Sequence, residues 1–129
     1  TPYGLFLAGS FGSSMVLLFG YPESPFAQPK NVFFGHLVTS MVGVLILKFL
    51  PVDQFLQISI AVGLGIFLMI LLGVTHPPAG GNPIVIILSA VSYNFLLNPI
   101  IFGSIIIILY AIILNRFILK KNYPSGWKN

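Results

Sequence analysis

From Phe55 to Val74 the chain runs for twenty residues without a charged side chain. The next nine, Thr75-His76-Pro77-Pro78-Ala79-Gly80-Gly81-Asn82-Pro83, hold three prolines. As a helix the first stretch is about 30 Å long, the thickness of a bilayer's hydrocarbon core. The second stretch cannot continue that helix. Each proline lacks a backbone donor and disfavours helical geometry in the residue before it, and two glycines open conformations that other residues resist. Broken backbone at the edge of hydrocarbon persists only where protein buries it or where it lines a cavity. An apolar span that ends in such a break predicts an all-α membrane protein built around the interruption.

Composition closes off the soluble alternatives. Charged residues make up 6% of the chain and hydrophobic residues 57%, whereas soluble domains carry about 25% charged residues. A water-facing surface cannot be covered with so few charges, so the lipid bilayer is the expected partner. With no cysteine, disulfide scaffolds and thiolate metal sites are excluded. The formal net charge of +4 is concentrated at one end, where Arg116, Lys120, Lys121 and Lys128 follow the last apolar run. Such a cluster orients a membrane protein; it does not mark a nucleic-acid partner. The expected location is a bacterial inner (plasma) membrane with the C-terminus cytoplasmic. The chain begins at Thr1 without a methionine.

Taken in order, Thr1 to Phe6 reads as a helix tail. Gly9-Ser10-Phe11-Gly12-Ser13-Ser14 reads as a small polar break before a short apolar run, Met15 to Gly20. Tyr21 to Asn31 is a proline-rich loop, with Asn31 placed to cap a span from Val32 to Leu50. Pro51 to Gln54 is a tight turn, and Phe55 to Val74 is the second span. After the central break, Ile84 to Leu97 is a short helix. Asn82 is its cap, and Pro83 stands where a missing donor costs nothing. Asn98-Pro99 starts a third span, Ile100 to Leu119. Residues 120–129 form a polar cytoplasmic tail, with Tyr123 and Trp127 suited to the interface.

A constant shift of 68 positions lays Gly12-Ser13-Ser14 on Gly80-Gly81-Asn82, and Phe34-Gly35 on Phe102-Gly103. This points to an internal repeat. The expected architecture is a transmembrane bundle of two helix–break–short helix–helix units, about 1–50 and 55–119, in one domain of residues 1–119. On that pattern the partner of Phe55 to Val74 lies before Thr1, so a first transmembrane helix is expected to be missing from this chain. The short helices either cross with help from the breaks, giving inverted repeats, or re-enter, giving parallel ones.

His76-Pro77-Pro78-Ala79-Gly80 after a spanning helix resembles the signature of the HPP family of integral membrane proteins. Ser24-Pro25-Phe26-Ala27-Gln28-Pro29-Lys30-Asn31 resembles that family's Ser-Pro-Leu-Ala-Gln-Pro-Arg-Asn stretch. Gly35-His36-Leu37 and Phe11-Gly12-Ser13-Ser14 resemble its Gly-His-Leu and Phe-Gly-Ala-Ser. The resemblance covers nearly the whole chain. It departs after the prolines, where Ala-Gly-Gly-Asn-Pro stands in place of Ala-Gly-Ala-Thr-Ala. Members of the family generally carry four transmembrane segments. Plant plastid and cyanobacterial members are linked to nitrite transport, and other bacterial members carry regulatory CBS domains.

The residues themselves point to anions. A helix N-terminus offers unpaired N–H groups and a positive dipole end, and small residues let an anion approach. Transporters build midplane sites from such ends. The expected ligand-binding set is therefore His76, Pro77, Pro78, Gly80, Gly81 and Asn82, facing Gly12, Ser13, Ser14 and His36. The glycines also serve close helix packing, which is the stronger reading for Gly35, Thr39 and Gly43. His36 and His76 stand in apolar surroundings and titrate near neutral pH when unperturbed; the alternative is neutral rings bonded to neighbouring helices. Gln28 and Asn31 are weaker pathway candidates, and Lys30 suits lipid headgroups. With only Glu23 and Asp53 as carboxylates, no catalytic constellation is present, so no enzyme, cofactor or metal is expected. The expected function is a transporter or channel for a small monovalent anion, with nitrite the named candidate from the resemblance. The alternative is a non-transporting membrane module that senses or assembles with partners. A homo-oligomer is expected to enclose a path that so few helices cannot.

Overall fold

The long apolar runs are helices, and the proline-rich breaks lie between them. The computed structural model describes the backbone of residues 2–125 and the side chains of residues 9–125. Trp127 and Lys128 lie outside the described residues. Five helices follow in order: α1 (Pro2–Gly20), α2 (Pro29–Phe49), α3 (Gln54–Leu71), α4 (Asn82–Ser89) and α5 (Leu96–Ile118). Short 3-10 turns at Pro25–Ala27 and Pro77–Gly81 precede α2 and α4. Among the described residues there is no strand. Among the described residues three helices, α2, α3 and α5, are long and apolar enough to cross a membrane.

The side-chain contacts fix the directions. Gln57, in the first turn of α3, donates to the Leu50 carbonyl just past α2, and Asn31 near the start of α2 donates to the Thr75 carbonyl just past α3. These two helices are therefore antiparallel. The segment after α3 turns back inward, and α4 runs along α2: Pro83 lies against Gly43, Ile86 packs on Val44, and Tyr93 lies under the Lys48 ammonium. Helix α5 returns. Its Ile100 joins Val44 and Ile86, while its Ile108 and Ala111 join Val32 and Leu18. One face of the bundle thus carries the loops 21–28 and 72–76 and the tail after α5; the opposite face carries 50–53 and 90–95. Residues 72–90 together traverse from the first face to the second, a crossing in two pieces.

Lipid tails are as apolar as leucine, so helix contact in a bilayer depends on close approach more than on apolar burial. That is the role of three glycines. A methyl group at Gly35 would meet the His76 Cβ at 2.7 Å, one at Gly43 the Pro83 Cα at 3.0 Å, and one at Gly65 the Thr39 Cγ2 at 3.3 Å. Asp53 caps α3 through the Leu56 amide at 3.1 Å, as a tight turn there requires.

Several boundaries differ from the sequence reading. The break expected at Gly9–Ser14 does not exist, because α1 runs unbroken from Pro2 to Gly20. Residues 9–14 contain no proline, so their glycines weaken the helix without forbidding it. Residues 2–6, read as part of a helix tail, therefore belong to the same helix as Met15 to Gly20. Under the 68-residue shift Gly12 is mid-helix, while Gly80 lies in a 3-10 turn, so the two halves are not alike at the point where the repeat was drawn. Helix α2 starts at Pro29, and Asn31 lies inside it bonded to Thr75 instead of capping it. The run Ile84 to Leu97 is not one helix. Helix α4 stops at Ser89, where Ala90 takes a left-handed conformation at φ 49. The next helix bends at Asn98, whose backbone is extended at φ −133 and ψ 112, at the Asn-Pro step expected to begin a helix. Asn82 does not cap α4; Gly81 holds that position and the Asn82 side chain points inward.

The tail is not an interfacial fringe. Tyr123 is fully buried, and its phenol donates to the Ala27 carbonyl at 2.8 Å. The Ser125 amide donates to the Gln28 side chain at 2.7 Å. Asn115 is buried and donates to the Leu18 carbonyl at 2.9 Å.

Candidate functional site

Three elements each contribute polar side chains to one interior point. Helix α1 contributes Ser10 and Ser14, one turn apart on the same face. Helix α2 contributes His36, Thr39 and Ser40. The segment after α3 contributes His76, just before its prolines, and Asn82, at the start of α4. Ser14, His36, Thr39, Ser40, His76 and Asn82 are all 0% exposed. His36 lies seven residues into α2 and Ser40 eleven, depths of about 10 and 16 Å from the helix start. The cluster therefore sits toward the middle of a helix about 31 Å long.

The hydrogen bonds run in one direction. The His76 Nδ1 lies 2.7 Å from the Phe26 carbonyl. A carbonyl only accepts, so Nδ1 carries the proton and Nε2 is bare. Ser14 Oγ, 2.7 Å from that Nε2, must donate to it. Ser14 has one hydrogen, so at its 2.8 Å contact with His36 Nε2 the ring donates and the hydroxyl accepts. His36 Nδ1 is then bare and accepts from the Asn82 amide nitrogen at 2.9 Å. The Asn82 nitrogen also lies 3.2 Å from Ser40 Oγ, and Asn82 Oδ1 accepts from Ser10 Oγ at 2.7 Å. Tautomers inferred this way follow from the partners, and here both ends of the chain agree. With both rings neutral, every ring nitrogen is paired.

The local sequence explains the placement. Gly35 lets the backbone at His76 come against α2, with the Val74 carbonyl 3.2 Å and the His76 Cβ 2.7 Å from a hypothetical methyl. Pro77 and Pro78 begin the 3-10 turn, where absent amide hydrogens leave nothing unpaired. Ser24 bonds the Phe26 amide at 3.2 Å, and Gln28 ties the same loop to the Pro22 and Ser24 carbonyls. The carbonyl that orients His76 is thereby held. Phe11 stands edge-on to His36 with ring centroids 4.9 Å apart, and the two imidazoles stand 5.0 Å apart.

Of the residues expected to form the site, Ser14, His36, His76 and Asn82 meet. Gly12, Ser13, Gly81 and Pro77 lie on the exposed side of α1 and of the 3-10 turn, while Gly80 and Pro78 are half-buried. A methyl group at Gly12, Gly80 or Gly81 would meet nothing within 4 Å. The glycine clusters do approach each other, yet side chains meet between them, not bare helix ends. Ser10 and the Phe26 carbonyl were missed. The four-residue spacing of Ser10 and Ser14 was the available signal, and it was lost when that stretch was read as a break.

Several cavities open on the first face, two of them beside α1 and beside the tail. One, about 390 Å³, lies between α1 and the 3-10 turn and is lined by Ser13, Val16, Gly20, Phe26, Pro77 and Pro78 among others. The other, about 380 Å³, is lined by Arg116, Phe117, Lys120, Lys121 and Asn122. Among the described residues no group of three or more His, Cys, Asp or Glu could hold a metal.

Residues 2–124 match the family described as "HPP, transmembrane region". Two relatives from Dictyostelium discoideum, both described as transmembrane proteins, are 34% identical over 128 residues and 36% identical over 130 residues. The matches cover 94% and 95% of this chain but 45% and 42% of the relatives, so the chain spans less than half the length of the curated proteins it matches. No solved structure matches. An all-α bundle with apolar spans, a His-Pro-Pro turn whose histidine is buried, and a match over almost every described residue agree: this chain is an integral membrane protein of the HPP transmembrane family.

Proposed function

We propose that this protein moves a small monovalent anion across its membrane, with nitrite the best candidate, by a path between α1, α2 and the segment 77–89. The observation that carries this reading is the buried cluster itself. Its hydroxyls, amide and imidazoles sit deep among spanning helices with no carboxylate in contact, and each can turn a donor toward an anion. Polar groups at that depth are costly and usually functional. Gly80 and Gly81 leave space beside the turn, and the apolar cavity lined by Pro77 and Pro78 reaches the residues next to His76. The cavity lined by Arg116, Lys120 and Lys121 raises the local anion concentration at the same face. That basic face is the cytoplasmic one on the positive-inside rule, which puts the C-terminus in the cytoplasm. Nitrite comes from the family resemblance; the chemistry supports a small hydrogen-bond acceptor. We read no catalysis in the cluster. The Dictyostelium relatives lend no support to the bacterial plasma membrane expected above. The exposed small residues Gly9, Gly12, Ser13 and Gly81 form the face on which we expect copies to associate.

One observation favours the second reading, a non-transporting module: the cluster satisfies its own hydrogen bonds. Liposome flux separates the two. Purified protein should pass nitrite, and His76→Ala and Gly80→Leu should lower the rate at least tenfold while the protein stays folded by circular dichroism. Folded wild type that passes no small anion is the module.

A further inference from the structure

We propose that His36 and His76 jointly hold one excess proton, passed between them by the Ser14 hydroxyl, and that the Asn82 amide reverses to admit it. The neutral chain has a fixed direction, as derived above. A proton added at His36 Nδ1 faces the Asn82 amide nitrogen, donor against donor. Reversing that amide puts Oδ1 toward the ring, 2.9 Å away, and the nitrogen toward Ser10 Oγ, 2.7 Å away. Ser10 keeps a place for its own hydrogen, because its oxygen also lies 3.0 Å from the Pro78 carbonyl. The His36 ring nitrogen, both ends of the amide and the Ser10 hydroxyl are therefore paired in either amide orientation.

The charged state then has two forms of equal proton count. In the first, His36 carries hydrogens on both nitrogens, Ser14 donates to His76 Nε2, and His76 donates to Phe26. In the second, the His36 Nε2–H bond has broken and its proton has gone to Ser14 Oγ, while the hydroxyl's former proton has formed an N–H bond at His76 Nε2. Ser14 ends as it began, the charge has moved from one ring to the other, and His76 Nδ1 has stayed on the Phe26 carbonyl. Both transfers cross short contacts, 2.8 and 2.7 Å. The described neighbours of the rings are Ser10, Phe11 and Ser14 of α1, Gly35, Thr39 and Ser40 of α2, Met69 of α3 beside Gly35, the Phe26 carbonyl, and Asn82. All are uncharged. The one titratable group facing either ring is the other ring. An arriving anion is therefore the natural partner for the added charge, and anion and proton would cross together. That last clause rests on the transport reading; the shared proton does not.

The chain has only two histidines, so nitrogen-15 histidine spectra of the full chain in lipid nanodiscs report each ring. At alkaline pH, His36 should show the Nε2–H tautomer and His76 the Nδ1–H tautomer. Acidification should take up one proton in a single transition that moves both rings together. Ser14→Ala should split that transition into separate steps, and Ser14→Thr, which keeps the hydroxyl, should restore it. Separate steps in the wild type, movement of one ring alone, or no uptake while the protein stays folded would overturn the shared proton. In proteoliposomes, with protein-free liposomes subtracted, nitrite entry should carry protons in a ratio near one to one. Nitrite flux without proton uptake overturns the coupling and leaves the anion reading standing. No flux from folded protein overturns the anion reading, and the spectra still decide the proton.

Discussion

Gly35→Ala adds one methyl group where the backbone carrying His76 comes tightest against α2. Its nearest neighbours are the His76 Cβ at 2.7 Å, the Val74 carbonyl oxygen at 3.2 Å and the Met69 sulfur at 3.5 Å. The methionine can swing aside. The other two cannot, because a carbonyl and a Cβ move only with their backbone. Reaching an ordinary separation of 3.4–4 Å requires segment 74–76 to retreat from α2 by about 0.7–1.3 Å, which a close-packed interior resists. If the retreat runs along the bond from His76 Nε2 to Ser14, now 2.7 Å, that bond passes about 3.4 Å and is lost. Overpacking costs roughly 1–3 kcal/mol, and a hydrogen bond between membrane helices adds about 0.6 kcal/mol. We expect a total near 2–3 kcal/mol and a nitrite flux reduced at least tenfold. The assay is thermal or denaturant unfolding in detergent, paired with liposome flux. Gly12→Ala, in the middle of α1, is the control. Its added methyl group meets nothing within 4 Å, and it should be neutral or stabilise by about 0.5–1 kcal/mol through the helix preference of alanine. A Gly35→Ala protein as stable and as active as that control would refute the packing argument.

Tyr123→Phe should cost about 1 kcal/mol by deleting the phenol's bond to the Ala27 carbonyl, read as a lower unfolding midpoint at neutral pH. Burial holds the Tyr123 phenol above its ordinary pKa. Its contribution is therefore complete below about pH 10 and falls as pH rises beyond it, because the unfolded phenol ionises first; Tyr123→Phe should unfold less steeply over that range. Lys120 has a left-handed backbone at φ 56, so Lys120→Gly should raise stability by about 1 kcal/mol while slowing nitrite entry at low salt. Ser104→Ala should be neutral or stabilising by about 1 kcal/mol, since the Ser104 hydroxyl is buried without a partner and its removal ends a desolvation cost.

The spans were legible because twenty uncharged residues have few ways to be satisfied in lipid. The tight contacts at Gly35 and Gly43 were legible for a similar reason: small residues at helical spacing say where backbones meet. His36 and His76 could be named from their polarity in apolar surroundings; Ser14 and Asn82 were named as parts of two helix ends, a ground that the unbroken α1 removes for Ser14. What joins them could not. The direction of the chain depends on the Phe26 carbonyl, a backbone atom that every residue possesses, and nothing in a sequence marks which carbonyl will face an imidazole. The unbroken α1 was misread because glycine and serine mark helix ends and helix contacts alike, and only the missing proline distinguished the two. Asn82 has the residue type and position of a cap, yet the interior offered its amide more partners than the helix end did.

The segment after α5 is wired to the interior through a very short conductor. Tyr123 grips the carbonyl of Ala27, and the neighbouring carbonyl, that of Phe26, decides which nitrogen of His76 bears hydrogen. A pull on the tail, whether from a purification tag, a tethering partner or a protease that removes residues past Leu119, is felt one peptide unit away from an imidazole at the centre of the bundle.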